Sequence, residues 1–165
     1  AENFPEPYAN IKFRPGSGNE TTASIGGVVD YPLMRVEEMY FIDAEATAHV
    51  NAAAGRQKLV DFMRKNRNTV YTCDLTDADD IVEEIIFQKR IELWGEGRAY
   101  YDIKRLNYPI IRVYDGTTFV GNARINTKAR AAWLNMCITN QEVDNNPALK
   151  GYNAPDPSRL YQRIQ

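Results

Sequence analysis

The sequence predicts a mainly α-helical protein built from helical hairpins, with one short β-hairpin and long irregular loops. Three observations support this prediction. Apolar residues recur at helical spacing through residues 32–66, a helix-capping pattern precedes a second apolar run at residues 81–86, and alternating β-branched and aromatic residues follow residue 108. At 165 residues and 44% apolar content, the chain is long enough for one compact domain.

Residues 1–31 are predicted to be an irregular lead-in. They contain three prolines and four glycines, with short strand-like runs at residues 8–13 and 27–31. A domain seldom begins with about 30 such residues. We therefore expect this segment to pack on a part of the protein that lies upstream of this sequence.

Two helices are predicted next, over residues 32–51 and 54–66. Pro32 fits the first position of a helix, where proline loses only an amide hydrogen that would be unpaired anyway. The first helix has apolar groups on more than one face, and its alanines allow neighbours to approach closely. Because only a short link at Gly55 separates the two helices, they should form an antiparallel hairpin.

A third helix should follow the capping box at residues 76–79, where an acidic side chain occupies the third helical position. It is predicted to run to about Trp94. Gly95 and Gly97 then interrupt the pattern, and a fourth helix is expected over residues 98–106, giving a second hairpin-like pair.

The last third of the chain is predicted to be a β-hairpin followed by loop. Asp115-Gly116 is a dipeptide suited to a tight turn, and it separates residues 110–114 from residues 117–120. The remaining tail is rich in asparagine and proline, so we expect it to be mostly loop.

The composition offers no sign of a nucleic-acid partner, a metal centre or another cofactor. The formal net charge is -2, so no phosphate-tracking surface or polybasic patch is expected. Cys73 and Cys137 lack CxxC spacing, and His49 is the single histidine, so a metal site has too few ligands. The cysteines fit a cytosolic protein or an exported one with an optional disulfide. The polar, proline-broken start is unlike a signal peptide, so we expect either a cytosolic protein or one whose beginning lies upstream.

Three motifs occur in order along residues 32–147. In residues 32–46 an Arg, a Glu and a Tyr precede Ala-Glu-Ala; residues 88–105 contain Lys-Arg, Glu-Leu, Glu-Gly, Arg and Asp-Ile-Lys-Arg; and residues 141–147 read Gln-Glu-Val-Asp-Asn-Asn-Pro. Together they resemble the SusD/RagB family of outer-membrane nutrient-binding lipoproteins. The departures are Gln88 for a frequent Glu, Asp61 for the usual Asn, and Val36-Glu37 for a Leu-Ala pair, all at positions that we assign to packing.

The resemblance implies a tetratricopeptide-like helical fold without catalytic residues or a cofactor. Such proteins bind starch or other oligosaccharides and polysaccharides in polysaccharide utilisation and nutrient uptake. They face outward from the outer membrane over a SusC-like TonB-dependent transporter. This chain would be the C-terminal part of one, attached to the membrane only through a lipid anchor that is missing from this chain.

The expected organisation is one domain in three parts. Residues 1–31 form the lead-in, residues 32–107 the helical hairpins, and residues 108–165 the β-hairpin and loop-rich part. Packing of the first part on upstream residues agrees with the resemblance, because family members are several times longer than this chain.

Charged residues on the predicted helices are interpreted as a structural network. Glu92 and Glu96 could suggest the carboxylate pair of a glycoside hydrolase. However, carboxylates four residues apart project from one helix face, whereas hydrolysis needs them on opposite sides of a sugar, about 5–9.5 Å apart. His49 should be solvated or cap its helix end. The network residues are Arg35, Glu38, Glu45, Arg90, Glu92, Glu96, Arg98, Asp102 and Arg105.

Candidate ligand-binding residues lie in the irregular segment at residues 108–133. Sugars present apolar C–H faces to flat rings and hydroxyls to planar polar groups, and this segment contains both kinds of side chain. The candidates are Tyr108, Arg112, Tyr114, Asp115, Phe119, Asn122 and Trp133.

Two other binding functions remain open. Helix pairs of about 34 residues are typical of tetratricopeptide arrays, so the chain could be a helical-repeat adaptor between proteins. Such an array needs about three or more repeats to stand alone, and only two pairs are visible here. The chain could also bind a peptide or another non-glycan nutrient.

Overall fold

The computed structural model describes residues 12–13, 31–131 and 134–153. The predicted strand-like runs at residues 8–13 and 27–31 lie outside the described residues, except for residues 12–13 and residue 31. The chain divides into two compact units, Ala1–Glu92 and Leu93–Gln165. The boundary between them falls beside the predicted glycine break. The predicted division into three parts, and the pairing of the third helix with the fourth, stay predictions.

The described residues are mainly helical, which confirms the predicted fold class. The helices of the first unit are α1 (Val36–Val50), α2 (Ala52–Asn66) and α3 (Ala78–Glu92). The second unit contains α4 (Ala99–Arg105) and α5 (Asn140–Asn145), with 3-10 turns at Gly121–Ala123 and Pro147–Leu149.

Helix α1 begins four residues later than predicted. Residues 31–35 are not helical, and Arg35 has an extended backbone with φ -132° and ψ 146°. The Arg35 guanidinium reaches Glu92, with its Nη1 atom 2.9 Å from a carboxylate oxygen. The extended backbone at Arg35 thus coincides with a contact to a residue far along the chain, which the local preference of Pro32 for a helix start does not reveal.

Helices α1 and α2 form the predicted hairpin, but the link between them is Asn51 rather than Gly55. The Asn51 side chain caps α2 by accepting a hydrogen bond from the Ala54 amide at 3.0 Å. Gly55 lies inside α2 and is buried against Ala48, where an added Cβ would stand 2.5 Å from the Ala48 Cα. The absence of a side chain at Gly55 permits this close approach of the two helices.

Helix α3 packs on both members of this hairpin. Its cap is Asp77 rather than Thr76, the first residue of the predicted capping box: the Asp77 Oδ1 accepts hydrogen bonds from the amides of Asp79 at 2.9 Å and Asp80 at 3.2 Å. The helix ends at Glu92, two residues before the predicted end. The side chains that are fully buried in this unit are Phe41, Leu59, Ile81, Ile85 and Ile86.

In the second unit, Gly95 and Gly97 adopt positive φ values of 78° and 76° before α4 begins. This backbone conformation favours glycine, so the predicted break is confirmed. The tail, predicted to be mostly loop, contains α5. Thr139 caps this helix by accepting a hydrogen bond from the Glu142 amide. Six residues are too few to show helical periodicity, so the sequence pattern missed it.

Candidate functional site

The segment after α4 is held by one antiparallel bridge, between Ile111 and Asn126. The predicted turn forms, because Gly116 has φ 77° and the Thr117 amide donates to the Tyr114 carbonyl at 3.2 Å. The predicted pairing of residues 110–114 with residues 117–120 is wrong. Residues 110–112 instead pair with residues 125–127, so the turn opens into a wider loop.

Polar side chains hold the two sides of this loop together. The Asn126 Oδ1 accepts hydrogen bonds from the amides of Arg112 at 2.9 Å and Val113 at 3.0 Å. The Thr127 hydroxyl accepts from the Ile110 amide at 2.9 Å and donates to the Ala129 carbonyl at 2.6 Å. Thr127 is buried, so these bonds are shielded from water.

The loop interior is fixed around Arg112 and Phe119. The Arg112 guanidinium lies 4.9 Å from the centre of the Phe119 ring, a cation–π contact. The Thr117 hydroxyl donates to the Arg112 carbonyl at 3.0 Å, and Arg124 Nε donates to the Phe119 carbonyl at 2.7 Å. The Phe119 ring, 40% exposed, is thus held in place while part of it faces solvent.

The other candidate residues differ in exposure. Tyr108 and Arg112 are half-buried, whereas Tyr114, Asp115 and Asn122 are exposed. Trp133 lies outside the described residues. Exposed aromatic rings next to planar polar groups can stack on the apolar face of a sugar and bind its hydroxyls.

The charged network is centred on Glu92 at the C-terminal end of α3. Its carboxylate accepts hydrogen bonds from Arg35 at 2.9 Å and from Arg67 at 2.6 and 2.7 Å. Both arginines also pair with Glu37, at 3.2 and 3.3 Å. Arg35 donates in addition to the Glu92 carbonyl at 2.8 Å, and Lys12 does so at the same distance, which satisfies a helix-end acceptor.

The electrostatics of this cluster oppose a role for Glu92 as a general acid. Hydrogen bonds from Arg67 are the largest influence on the Glu92 pKa and lower it, although burial acts in the opposite direction; Arg35 adds to the lowering. Glu92 in turn raises the pKa of Arg67. A general acid of a glycosidase needs a raised pKa. Glu92 is therefore held ionised as an ion-pair partner.

The sequence missed two members of this cluster, Glu37 and Arg67. The remaining predicted network residues do not all join it. In the second unit, Arg105 Nε donates to buried Asp102 at 2.8 Å. In α1, buried Glu45 lies 4.0 Å from His49. Arg90 is exposed on α3. Three further predicted members are half-buried: Glu38, Glu96 and Arg98.

The part of the chain that the structure describes has no group of three or more histidine, cysteine or acidic side chains arranged to hold a metal ion. Within the same residues, Cys73 and Cys137 are both free thiols. None of the described helices is both long enough and apolar enough to cross a bilayer.

Comparison with known proteins gives one family and a structural neighbour. The family model of the SusD family matches residues 3–158. A crystal structure of a SusD-like carbohydrate binding protein from Bacteroides vulgatus is similar, with a TM-score of 0.63 and 27% sequence identity. The match covers 84% of this chain and 33% of the other, so this chain spans about a third of that protein's length. Curated proteins yield no match.

Proposed function

Because this chain belongs to the SusD family, we propose that it is the C-terminal part of a cell-surface protein that binds oligosaccharides and delivers them to a TonB-dependent transporter in the outer membrane. The observation that carries the proposal is the family match over residues 3–158, supported by the neighbour described as carbohydrate binding. The protein would act by binding alone, without catalysis. A SusC-like transporter would be its partner, and an outward-facing lipid anchor its attachment.

We propose that the segment at residues 108–131 contacts the glycan. Phe119 presents a ring whose position is fixed by Arg112, and Tyr114 presents a ring that is 54% exposed. A ring that is already immobilised loses little conformational entropy when a sugar stacks on it. Asp115 and Asn122 supply planar acceptors in the same loop for sugar hydroxyls.

The helices of the first unit would serve as scaffold and transporter-docking surface. A buried core shared by α1, α2 and α3, together with the Glu92 cluster, supports a rigid body rather than an adaptable loop. A rigid surface suits repeated docking to one membrane partner, because little order is gained on binding.

A glycan array probed with the 165-residue chain tests the binding function. We expect binding to at least one oligosaccharide, weakened by Tyr114→Ala or Phe119→Ala. Phe87→Ala is the matched control, since Phe87 is 54% exposed on α3, outside the loop. If neither this chain nor the longer protein that contains it binds any glycan on a broad array, the proposed function is wrong; binding by the longer protein alone would exclude only a glycan contact from this chain. If the Tyr114→Ala and Phe119→Ala variants bind glycan as well as the wild-type chain does, the loop is not part of the binding site.

The transporter partnership needs a separate experiment. The protein should co-purify with a TonB-dependent transporter from solubilised outer membranes of the cells that produce it, and an antibody should label it on intact cells. Recovery in the soluble cell fraction, without a transporter, would contradict the proposed location and partner while leaving glycan binding open to the array.

A further inference from the structure

A groove on the α1–α2 hairpin has the features of a small ligand site. Its volume is about 270 Å³. The described residues along it are Tyr40, Asp43, Lys58, Asp61, Lys65 and Asn66, together with the buried Phe62. All belong to the first unit and are distant in sequence from residues 108–131. The volume is slightly below the range of about 300–1,000 Å³ typical of drug-sized ligand pockets, so the groove suits a ligand of about one ring.

Tyr40 gives this groove a fixed aromatic surface. Its ring is 54% exposed, and its centre lies 5.4 Å from that of Phe62. Phe62 is itself buried and packs edge-on against Phe41 at 5.0 Å, with the Arg67 guanidinium 5.7 Å from its ring. Tyr40 therefore rests on a well-packed aromatic support while much of its ring remains open to solvent.

The polar groups around Tyr40 are also held by their neighbours. Lys58 Nζ lies 2.7 Å from both carboxylate oxygens of Asp43. Asp61 accepts a hydrogen bond from Gln57 at 2.7 Å, and Asn66 donates its amide hydrogen to the Phe62 carbonyl at 2.8 Å. Each carboxylate and the Asn66 Oδ1 still have lone pairs for a ligand donor.

The charges that line the groove balance. Two lysines face two aspartates, so an anionic ligand gains no net attraction. A ligand with many hydroxyls, each able to donate and to accept, matches this mixture of ammonium donors and carboxylate acceptors. A flat apolar face on the same ligand would match Tyr40.

We propose that this groove is a second carbohydrate subsite, which takes one ring of a neutral hexose oligosaccharide stacked on Tyr40. Asp43, Asp61 and Asn66 accept hydrogen bonds from its hydroxyls, and Lys65 donates one. The inference rests on the proposed glycan-binding function and extends it to a face of the helical scaffold. The rest of the oligosaccharide continues into solvent, because the groove accommodates only about one ring.

Isothermal titration calorimetry of the 165-residue chain tests the subsite with maltohexaose, cellohexaose, mannohexaose and hexagalacturonate. We expect a neutral hexamer to bind, and Tyr40→Ala and Asp61→Ala each to weaken that binding about fivefold or more. Asp61, which the sequence assigned to packing, is exposed, so that assignment is wrong and its substitution leaves the core intact. Tyr101→Ala is the matched control, because Tyr101 is also a tyrosine with a largely exposed side chain, 63% exposed on α4. The affinity of this variant for the hexamer should equal that of the wild-type chain.

The possible failures are distinguishable. If the wild-type chain binds a neutral hexamer and both groove variants bind it equally well, the subsite is overturned and the proposed function stands. If the longer protein that contains this chain binds a glycan and the 165-residue chain does not, the subsite is overturned and the proposed function stands; if neither binds one here or on a broad array, the proposed function itself fails. Binding of hexagalacturonate alone, lost in Tyr40→Ala, would overturn the neutral ligand class.

Discussion

Replacing Glu92 by glutamine should destabilise the first unit by about 2–4 kcal/mol. The two Glu92 carboxylate oxygens accept three hydrogen bonds from guanidinium groups, at 2.6, 2.7 and 2.9 Å. Hydrogen bonds to charged groups contribute about 1.5–3 kcal/mol each, and removing one partner of a buried ion pair costs about 3–5 kcal/mol. The Glu92 side chain is 13% exposed and that of Arg67 is 36% exposed, so solvent screening lowers the expectation below the sum.

Urea unfolding followed by far-ultraviolet circular dichroism measures this loss. Asp43→Asn is the matched control, because it removes a carboxylate that pairs with Lys58 at 2.7 Å on the surface, where the two side chains are 60% and 43% exposed. Exposed pairs contribute about 1 kcal/mol or less, so this variant should unfold close to the wild type. If Glu92→Gln is no less stable than Asp43→Asn, the cluster does not stabilise the fold as argued.

The pH dependence gives the same argument a second test. The pKa of Glu92 is lowered on folding, so its contribution is complete above the ordinary carboxyl pKa of 4.5 and decreases as pH falls toward the lower folded value. The difference between wild type and Glu92→Gln should therefore be largest at neutral pH and should shrink below about pH 4.5. A difference that grows on acidification would refute this sign.

Three other predictions follow from local contacts. Gly55→Ala should lower the free energy of unfolding by about 1–3 kcal/mol, because the added Cβ would meet Ala48 at 2.5 Å. Gly121→Ala should be nearly neutral, because nothing lies within 4 Å of the added Cβ. Equal melting temperatures for the two variants would contradict this. Asn51→Ala should cost about 1 kcal/mol in urea unfolding through loss of the α2 cap, and an unchanged midpoint would contradict that role. Both cysteines are free, so Ellman titration of the denatured chain without reductant should count two thiols, and a count of zero would indicate a disulfide.

The helices were largely predictable because their signals are local. Residues 54–66 were predicted and α2 spans Ala52–Asn66, since apolar spacing and a nearby cap suffice to define such a helix. The start of α1 was not predictable in this way. Pro32 is a sound local signal, but the extended backbone at Arg35 accompanies an ion pair with Glu92, 57 residues further on.

In the candidate loop, the turn was predictable from local sequence, whereas the strand pairing was not. The turn at Gly116 follows from its dipeptide, and the structure contains it. The strand pairing depends on Asn126, whose side chain accepts two backbone hydrogen bonds from the opposite side of the loop. A polar residue in an irregular stretch does not reveal such a distant role, so the sequence favoured the nearer segment at residues 117–120.

The Glu92 cluster explains physically why two separate sequence motifs accompany one fold. Arg35 comes from the motif at residues 32–46 and Glu92 from the motif at residues 88–105, and their ion pair joins the start of α1 to the end of α3. Arg67, just after α2, completes the contact among all three helices, although it looks in sequence like one more cation at a helix end. Arg35 and Glu92 thus pair with each other, so these two motif residues serve the packing of the three helices. The groups that we propose to contact a glycan are exposed rings and planar polar side chains outside this cluster.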